Sequence, residues 1–393
     1  MADGRRWSRA LLPLVPLAGL LALLAWWGPA DALRGDAPPL EALTFQRVVL
    51  DADGIRATVL NDGPDEVTIA QVQVDEAFWA FTADRGQVLG HLDRTTLAIP
   101  YPWVEGDAHL VKVLTSTGAT FEYEVGVAVA TPAPSARYFG VFTLIGIYVG
   151  VLPVAIGLLW FPFLAGLSSR GLSFLLALTV GLLLFLLVDG AGDGLEAAGA
   201  LAESFQGVVL FVLAAALAYL GLDGLSAALR RRRRQAGAAE SGWVLALGIA
   251  IGIGLHNFGE GLAIGAAFAL GEAALGTLLI VGFTLHNTTE GLAIVAPLAR
   301  GGGRAPLGAL VRLGLIGGVP TIAGAWLGGF VYSPVWAVLF LAIGVGAIAQ
   351  VIGQIVRHMA GDGSSARWLA EGPSLAGLTA GFAVMYATGM MVG

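Results

Sequence analysis

The chain has 393 residues, of which 56% are hydrophobic and 12% charged, and its formal net charge is -7. A soluble protein carries about a quarter charged residues, so this composition excludes an ordinary soluble protein and indicates a membrane protein. Because the chain has no cysteine, disulfides and thiolate metal ligands are excluded, and His, carboxylate, amide and Met side chains remain as ligands. Residues 31–130 carry 16 acidic and 6 basic residues, which gives no support to nucleic-acid binding.

Residues 1–32 have the pattern of a secretory signal peptide or of an uncleaved N-terminal anchor helix. Arg5, Arg6 and Arg9 precede an apolar run over residues 11–27, and small residues follow up to Ala32. Both interpretations place the next segment outside the cytoplasm.

Residues 40–131 differ from the rest of the chain, because apolar and polar residues alternate in short runs such as 67–74 and 121–125. This period is typical of strands, and turn residues separate the runs. The sequence therefore predicts a small extracytoplasmic β-sandwich-like domain. Residues 131–135, rich in proline, are expected to form a linker to the next domain.

Residues 138–393 are predicted to form an all-α polytopic bundle of eight membrane-spanning helices, because each apolar run approaches the roughly 20 residues needed to cross the hydrocarbon core. The predicted spans are residues 138–161, 171–189, 205–223, 243–270, 272–299, 307–330, 335–356 and 374–391.

The arginines between the predicted spans fall in alternate loops, which by the positive-inside rule are cytoplasmic. They are Arg170, the run over residues 230–234, Arg300, Arg304, Arg357 and Arg367. The intervening short loops are expected to hold Asp193, Glu196, Glu203 and Glu272. The protein is therefore predicted to lie in the cell membrane, with the β-domain and the C-terminus extracytoplasmic.

A nine-residue segment recurs thirty residues later inside two successive predicted helices. Residues 256–264 and 286–294 agree at seven of nine positions, and both begin with His-Asn-x-x-Glu-Gly. On a helix, a His and a Glu four residues apart share one face, and the Asn lies three residues from the same Glu. One turn of each helix therefore directs three polar side chains to one side.

These repeated turns favour a divalent-metal site between the two helices. A carboxylate at bilayer depth costs several kcal/mol unless it is paired, protonated or hydrated, and two neighbouring carboxylates also repel each other. A divalent cation would neutralise Glu260 and Glu290 together, and imidazole with carboxylate suits zinc, iron or manganese better than calcium. The alternative is a buried polar network without metal. The duplication favours the metal.

The repeat and its surroundings resemble the ZIP family of divalent metal transporters. The shared features are the His-Asn-x-x-Glu-Gly turn in the fourth helix, a related turn in the fifth, a basic loop between helices three and four, and eight helices with an outside C-terminus. The resemblance covers roughly residues 138–393, with motif detail only in residues 252–298. A β-domain before the first helix is not typical of the family.

The resemblance implies which residues bind the transported ion. In the family, the His and Glu of the fourth helix and the Glu of the fifth hold the metal midway along its path, and a further ligand stands where this chain has His286. The implied ligands are His256, Glu260, His286 and Glu290, with Asn257 and Asn287 at positions that the family uses for a second, adjacent metal.

The sequence departs from the family pattern around that second metal. Val319, before Pro320, replaces a carboxylate that is frequent in the sixth helix, and the seventh helix has Gln350 and Gln354 where acidic residues are common. We therefore expect one ion, because two carboxylates balance its charge and a second ion would leave two positive charges uncompensated.

Three acidic residues at the outer end of the second helix could attract cations to an entrance, with a solvated helix end as the alternative. They are Asp189, Asp193 and Glu196. His91 and His109 in the β-domain are expected to be ordinary surface histidines.

Three classes of function remain: a divalent-metal carrier, an intramembrane metallohydrolase, and a transport-inactive metal-binding sensor or structural protein. A hydrolase needs a general base and an open coordination position. The sequence lacks His-Glu-x-x-His, and both glutamates are assigned to the metal, so we expect no enzyme activity. The substrate is predicted to be zinc, with iron, manganese or cadmium as alternatives. The expected partners are metal cations and membrane lipid, and small-residue helix faces would permit a homodimer.

Overall fold

The structure, a computed structural model, describes residues 14–26, 39–164, 166–235, 242–269, 273–299, 305–331, 333–360 and 363–392. Residues 1–41 form a separate unit, in which α1 (Leu14–Trp26) lies within the apolar run of the predicted signal or anchor. The predicted boundary at Ala32 lies outside the described residues.

Two antiparallel sheets form the β-domain. Its strands are β1 (Leu43–Asp51), β2 (Gly54–Asn61), β3 (Val67–Val74), β4 (Ala77–Trp79), β5 (Thr82–Ala83), β6 (Val88–Leu89), β7 (Arg94–Ile99), β8 (His109–Thr115) and β9 (Thr120–Val125). One sheet has the order β1-β2-β7-β5, and the other β4-β3-β8-β9 with β6 paired to β3. Every second residue of β8 is buried, and one core joins residues of both sheets, including Ile55 and Val113.

The remainder of the chain is mostly helical. Its helices are α2 (Ala136–Gly146), α3 (Leu152–Leu158), α4 (Phe161–Leu164), α5 (Ser169–Gly199), α6 (Gly207–Gln235), α7 (Gly242–Ala269), α8 (Ala273–Ala299), α9 (Leu307–Gly318), α10 (Pro320–Val331), α11 (Pro334–Ala360), α12 (Ser365–Ala370) and α13 (Gly372–Val392). In the described part of the chain, seven helical segments are long and apolar enough to cross a membrane. α13, at the position of the predicted eighth span, is not among the seven.

Two helices are longer than the spans predicted for them. α5 continues from the predicted end at residue 189 to Gly199, so Asp193 and Glu196 lie on a helix and not in a loop. α6 continues through the arginine run at residues 230–234. A hydropathy pattern ends where charge begins, whereas a helix can continue into a charged segment; the extension of α6 is rich in Ala, Leu and Arg, which favour helix.

Two spans are interrupted next to a proline. Between α2 and α3 the chain forms a π-helical turn, Ile147–Val151, and Pro153 has no N–H to donate to the carbonyl of Val149 four residues earlier. α9 likewise ends at Gly318, and α10 begins at Pro320. Backbone carbonyls at both interruptions become available to other partners.

Glycines bring α7 and α10 into direct backbone contact. A Cβ at Gly261 would collide with the carbonyl oxygen of Thr321, and a Cβ at Gly324 with that of Phe258. Small residues four apart on both helices, such as Gly324 and Gly328, permit this approach. The repeated His-Asn-x-x-Glu-Gly turn of α7 is therefore held against α10.

The β-domain packs against one end of the helical bundle. The Ser204 hydroxyl donates to the Asp62 carbonyl oxygen at 3.0 Å, and the Glu203 N–H donates to the Asp62 carboxylate at 3.1 Å. Arg47 Nη1 lies 3.5 Å from the carbonyl oxygen of Phe330. The β-domain thus contacts the end of the bundle that holds the α5–α6 and α10–α11 connections.

Candidate metal centre

The two repeated turns lie near the middle of their helices, α7 of 28 residues and α8 of 27 residues, which pack against each other. Each turn directs its His, Asn and Glu toward the partner helix. The two histidines and the two glutamates therefore meet at one depth. The exposed fractions of the Glu260 and Glu290 side chains are only 3% and 2%.

Glu260 is the centre of the group. Its Oε1 atom contacts His286 Nε2 and lies 3.2 Å from His256 Nε2. Its Oε2 atom accepts a hydrogen bond of 3.0 Å from the amide of Asn287. One buried carboxylate therefore joins both copies of the repeat.

Glu290 has no comparable set of partners. Both of its carboxylate oxygens are buried without a well-formed hydrogen bond within the described residues, and the imidazole of His256 is 4.0 Å from Oε1. The side-chain oxygens of Asn257 and Asn287 and the Nε2 atom of His256 are likewise buried without such a bond. Buried polar atoms are normally satisfied, so this concentration of unpaired polar atoms is compatible with a bound cation.

The spacing of His256 Nε2 and Glu260 Oε1 suits two neighbouring ligands of a metal ion. Bonds of about 2.0–2.1 Å to nitrogen and oxygen place neighbouring tetrahedral ligands about 3.3 Å apart. The 3.2 Å between His256 Nε2 and Glu260 Oε1 matches this value. The donor atoms of His256, Glu260 and His286 all lie within 4.8 Å of one another. A divalent ion among them would replace the contact between His286 and Glu260.

The amide groups of the two asparagines are held by backbone carbonyls that the sequence analysis did not identify. Asn287 Nδ2 donates to Val149 in the π-helical turn, and Asn257 Nδ2 donates to Gly317 at the end of α9, both at 3.0 Å. Only the oxygen of each amide is then left for a cation. Pro153, which cannot donate to the Val149 carbonyl, is the signal in the sequence that marks this carbonyl as free, whereas no such signal marks Gly317.

The three predicted entrance residues lie together on exposed turns of α5. Asp193 interacts electrostatically with both Asp189 and Glu196. Asp189 is also close enough to His256 for the two side chains to interact electrostatically. Of the three, Asp189 is thus the one within electrostatic reach of the metal-binding turn.

The residues at which the sequence departs from the ZIP pattern do not add charge to the group. Val319 is 41% exposed at the break between α9 and α10. Gln354 is buried and hydrogen-bonded to Ser226 on α6, and Gln350 is buried with its Nε2 atom unpaired within the described residues. Neither glutamine offers a negative charge that would balance a second cation.

The two histidines of the β-domain differ from each other. His91 is exposed and bonds the Gly63 carbonyl, as expected for a surface histidine. The same expectation for His109 is wrong, because His109 begins β8 on its inward face and is 5% exposed. Its Nδ1 atom pairs with Asp75 at 2.7 Å, which gives it a structural role in the domain.

No protein-family model matches the chain, and no curated protein matches it either. The site is therefore defined by its geometry alone. It is a buried His/Glu group that is compatible with a bound metal ion, and it lies in helices that are apolar and long enough to span a membrane.

Proposed function

We propose that this protein carries divalent metal cations across a membrane through the His/Glu site between α7 and α8, as a ZIP-like transporter in which α13 is the eighth span. Zinc is the first candidate substrate, and iron, manganese and cadmium are the alternatives. One observation carries the proposal: Glu260 and Glu290 are both buried at mid-helix, and neither carboxylate oxygen of Glu290 makes a well-formed hydrogen bond within the described residues.

A purely structural network does not explain Glu290. Buried polar groups that only join helices satisfy one another, because an unpaired buried group costs about 1–3 kcal/mol and a charged one costs more. Here the side-chain oxygens of Glu290, Asn257 and Asn287 make no well-formed hydrogen bond within the described residues, and the nearby His256 Nε2 atom lies 4.0 Å from Glu290 Oε1. A cation supplies what these acceptors lack.

The charge of the group favours one ion at a time. Two carboxylates and one divalent cation sum to zero, which is the favourable balance where the dielectric constant is low. A second ion would need another carboxylate, and Val319, Gln350 and Gln354 do not provide one. A carrier must also release its ion. The two carboxylates neutralise the ion, and the amides of Asn257 and Asn287 add no further negative charge that would hold it more tightly.

The neutral residues in the sixth and seventh spans favour one alternative, a protein that binds metal without moving it. Binding and uptake distinguish the two functions. A carrier both binds and transports zinc, whereas a sensor binds it and shows no uptake.

The test is uptake of zinc, iron, manganese and cadmium into proteoliposomes, together with metal analysis of the purified protein. We expect one ion per chain, loss of uptake in Glu260→Ala and Glu290→Ala, a strong decrease in His256→Ala, and a smaller decrease in Asn287→Ala. Glu371→Ala, which removes an exposed carboxylate between α12 and α13, is the matched control and should transport like the unmodified protein. Two ions bound between α7 and α8, or uptake that survives Glu290→Ala, would contradict the proposal.

A further inference from the structure

A cleft of about 390 Å³ lies between the β-domain and the end of the helical bundle. Arginines 47, 85 and 94 line it from the β-domain, and Asp84 is the one acidic residue among its lining residues. On the opposite side it is lined by Phe205 and by Ser333, Pro334 and Val335, where α11 begins. The N-terminus of a 27-residue helix adds a partial positive charge to that of the arginines.

Within the described residues, these three arginines form no close ion pair, although Arg85 interacts electrostatically with Asp84. The buried Nε atom of Arg47 has no hydrogen-bond partner in the part of the chain that the structure describes. The carboxylate of Asp84 is already engaged, because its Oδ1 atom accepts from the Thr95 hydroxyl and the Thr96 N–H. The cleft therefore has a surplus of positive charge and donors that nothing in its walls satisfies.

An apolar groove lies next to the cleft on the flank of the bundle. It has a volume of about 230 Å³ and shares one lining residue, Ser333, with the cleft. Its other lining residues are Leu262, Leu327, Val331, Trp336 and Phe340. Val331 and Trp336 are 64% and 57% exposed, so this groove opens on the side of the helices that would face lipid.

The basic cleft and the apolar groove together match one amphiphilic molecule. The cleft is at the helix ends, where headgroups lie, and Phe340 is about two turns below Ser333 on α11, or about 10 Å into the hydrocarbon. Trp336 lies between them, at the level where tryptophan is enriched in membrane proteins. A soluble anion would fill the cleft and leave the groove empty.

We propose that the cleft and the groove form a binding site for an anionic phospholipid, whose phosphate pairs with Arg47, Arg85 and Arg94 and whose acyl chain lies along Trp336 and Phe340. Arginine suits this task because its planar guanidinium donates two parallel hydrogen bonds to phosphate oxygens. The bound lipid would join the β-domain to the bundle.

The groove also touches the metal-binding turn. The ring of Phe340 packs against that of Phe258 on α7 at 4.7 Å between centroids, and Phe258 lies between Asn257 and Glu260 in the repeat. The lipid-binding proposal does not depend on transport, and its test uses no metal.

The test measures quenching of tryptophan fluorescence by phospholipids with brominated acyl chains, with the full-length protein in nanodiscs. The signal of Trp336 is the difference between the unmodified protein and Trp336→Phe. We expect brominated phosphatidylglycerol to quench this signal at lower mole fraction than brominated phosphatidylcholine. Because each cationic side chain near anionic lipid contributes about fivefold in affinity, Arg85→Gln with Arg94→Gln should weaken the preference roughly 30-fold.

The matched control is Arg56→Gln with Lys112→Gln, which removes the same charge from the β-domain outside the cleft and should keep the preference. The proposal is overturned if both lipids quench equally, or if the Arg85/Arg94 double variant behaves like the control. It is also overturned if inorganic phosphate at millimolar concentration removes the preference, since the cleft would then bind a free anion.

Discussion

At the scale of single residues, the β-domain has a polar group that can be tested by titration. The Tyr101 hydroxyl donates to the Asp75 carboxylate at 2.7 Å, and this hydrogen bond, with burial, raises the pKa of Tyr101 to about 12. Burial alone would raise the pKa of Asp75, but hydrogen bonds from Tyr101, from the Leu110 N–H and from His109 hold it below its ordinary value.

The directions of the two pKa shifts give two pH ranges in which the β-domain should lose stability. Because the pKa of Tyr101 is raised, its contribution to folding is complete below pH about 10 and is lost as the pH rises toward 12. Because the pKa of Asp75 is lowered, its contribution is present above pH about 4 and is lost as the pH falls through the lowered value. The domain should therefore loosen around β8 at both extremes.

We expect Tyr101→Phe to remove one phenol group that titrates near pH 12 in the ultraviolet absorbance of the full-length protein. In Asp75→Asn the same phenol should titrate closer to its ordinary range, because the hydrogen bond to a carboxylate is gone. A difference spectrum between the unmodified protein and Tyr101→Phe that titrates near pH 10 would show that the bond to Asp75 is absent in solution.

Side chains of the site could be predicted from the sequence, whereas their backbone partners could not. His256, Glu260, His286 and Glu290 come together because a repeated helical turn fixes their common face. Pro153 indicates that the Val149 carbonyl lacks its usual helical partner, but every residue has a carbonyl, and only the tertiary packing decides which one meets Asn287. His109 was placed wrongly for a related reason, because the inward face of β8 depends on the register of the sheets.

At the scale of elements, the contact between α7 and α10 depends on the absence of side chains. Gly324→Ala would place a Cβ against the Phe258 carbonyl, next to the ligand turn, and the helices would have to separate. Overpacking of this kind costs about 1–3 kcal/mol. We expect Gly324→Ala to lower the thermal unfolding temperature of the purified protein and to weaken zinc binding, as measured by calorimetry.

Gly224→Ala on α6 is the matched control. A Cβ there meets no atom within 4 Å, so the substitution should leave zinc binding unchanged and, because Ala favours helix over Gly by up to about 1 kcal/mol, should not lower the unfolding temperature. Equal effects of the two substitutions would show that the close approach of α7 and α10 is not needed for the site.

Helix type and order could be predicted from hydropathy, but interruptions within helices could not. The first span contains a π-helical turn, and the sixth breaks at Val319. A proline in an apolar run predicts a kink, yet it does not determine whether the freed carbonyl bonds water, lipid or another side chain. The basic cleft was also not predicted, since it joins residues such as Arg47 and Ser333 that are distant in the sequence.

At the scale of the whole molecule, the position of the β-domain agrees with the orientation inferred from arginines, which remains a prediction. The domain contacts Glu203 and Phe330, which lie at the α5–α6 and α10–α11 connections. The loops predicted there lack arginine, as expected for the extracytoplasmic side. Single probe cysteines test the orientation without background, because the chain has no cysteine. We expect an impermeant maleimide on intact cells to label Asp53→Cys in the β-domain and to label Ser364→Cys, before α12, only after permeabilisation. The reverse pattern would invert the topology.

The depth of the ligand turns has an electrical consequence. A helix of 28 residues is about 42 Å long, so a site at its middle lies roughly halfway through the membrane field. A charge crossing 100 mV changes its energy by about 2.3 kcal/mol, so a divalent ion that moves halfway gains about the same amount when the inside is negative. Entry from inside is opposed by the same amount, so at that voltage the membrane potential alone should favour loading of the site from outside over loading from inside by about 4.6 kcal/mol, or about 2,000-fold.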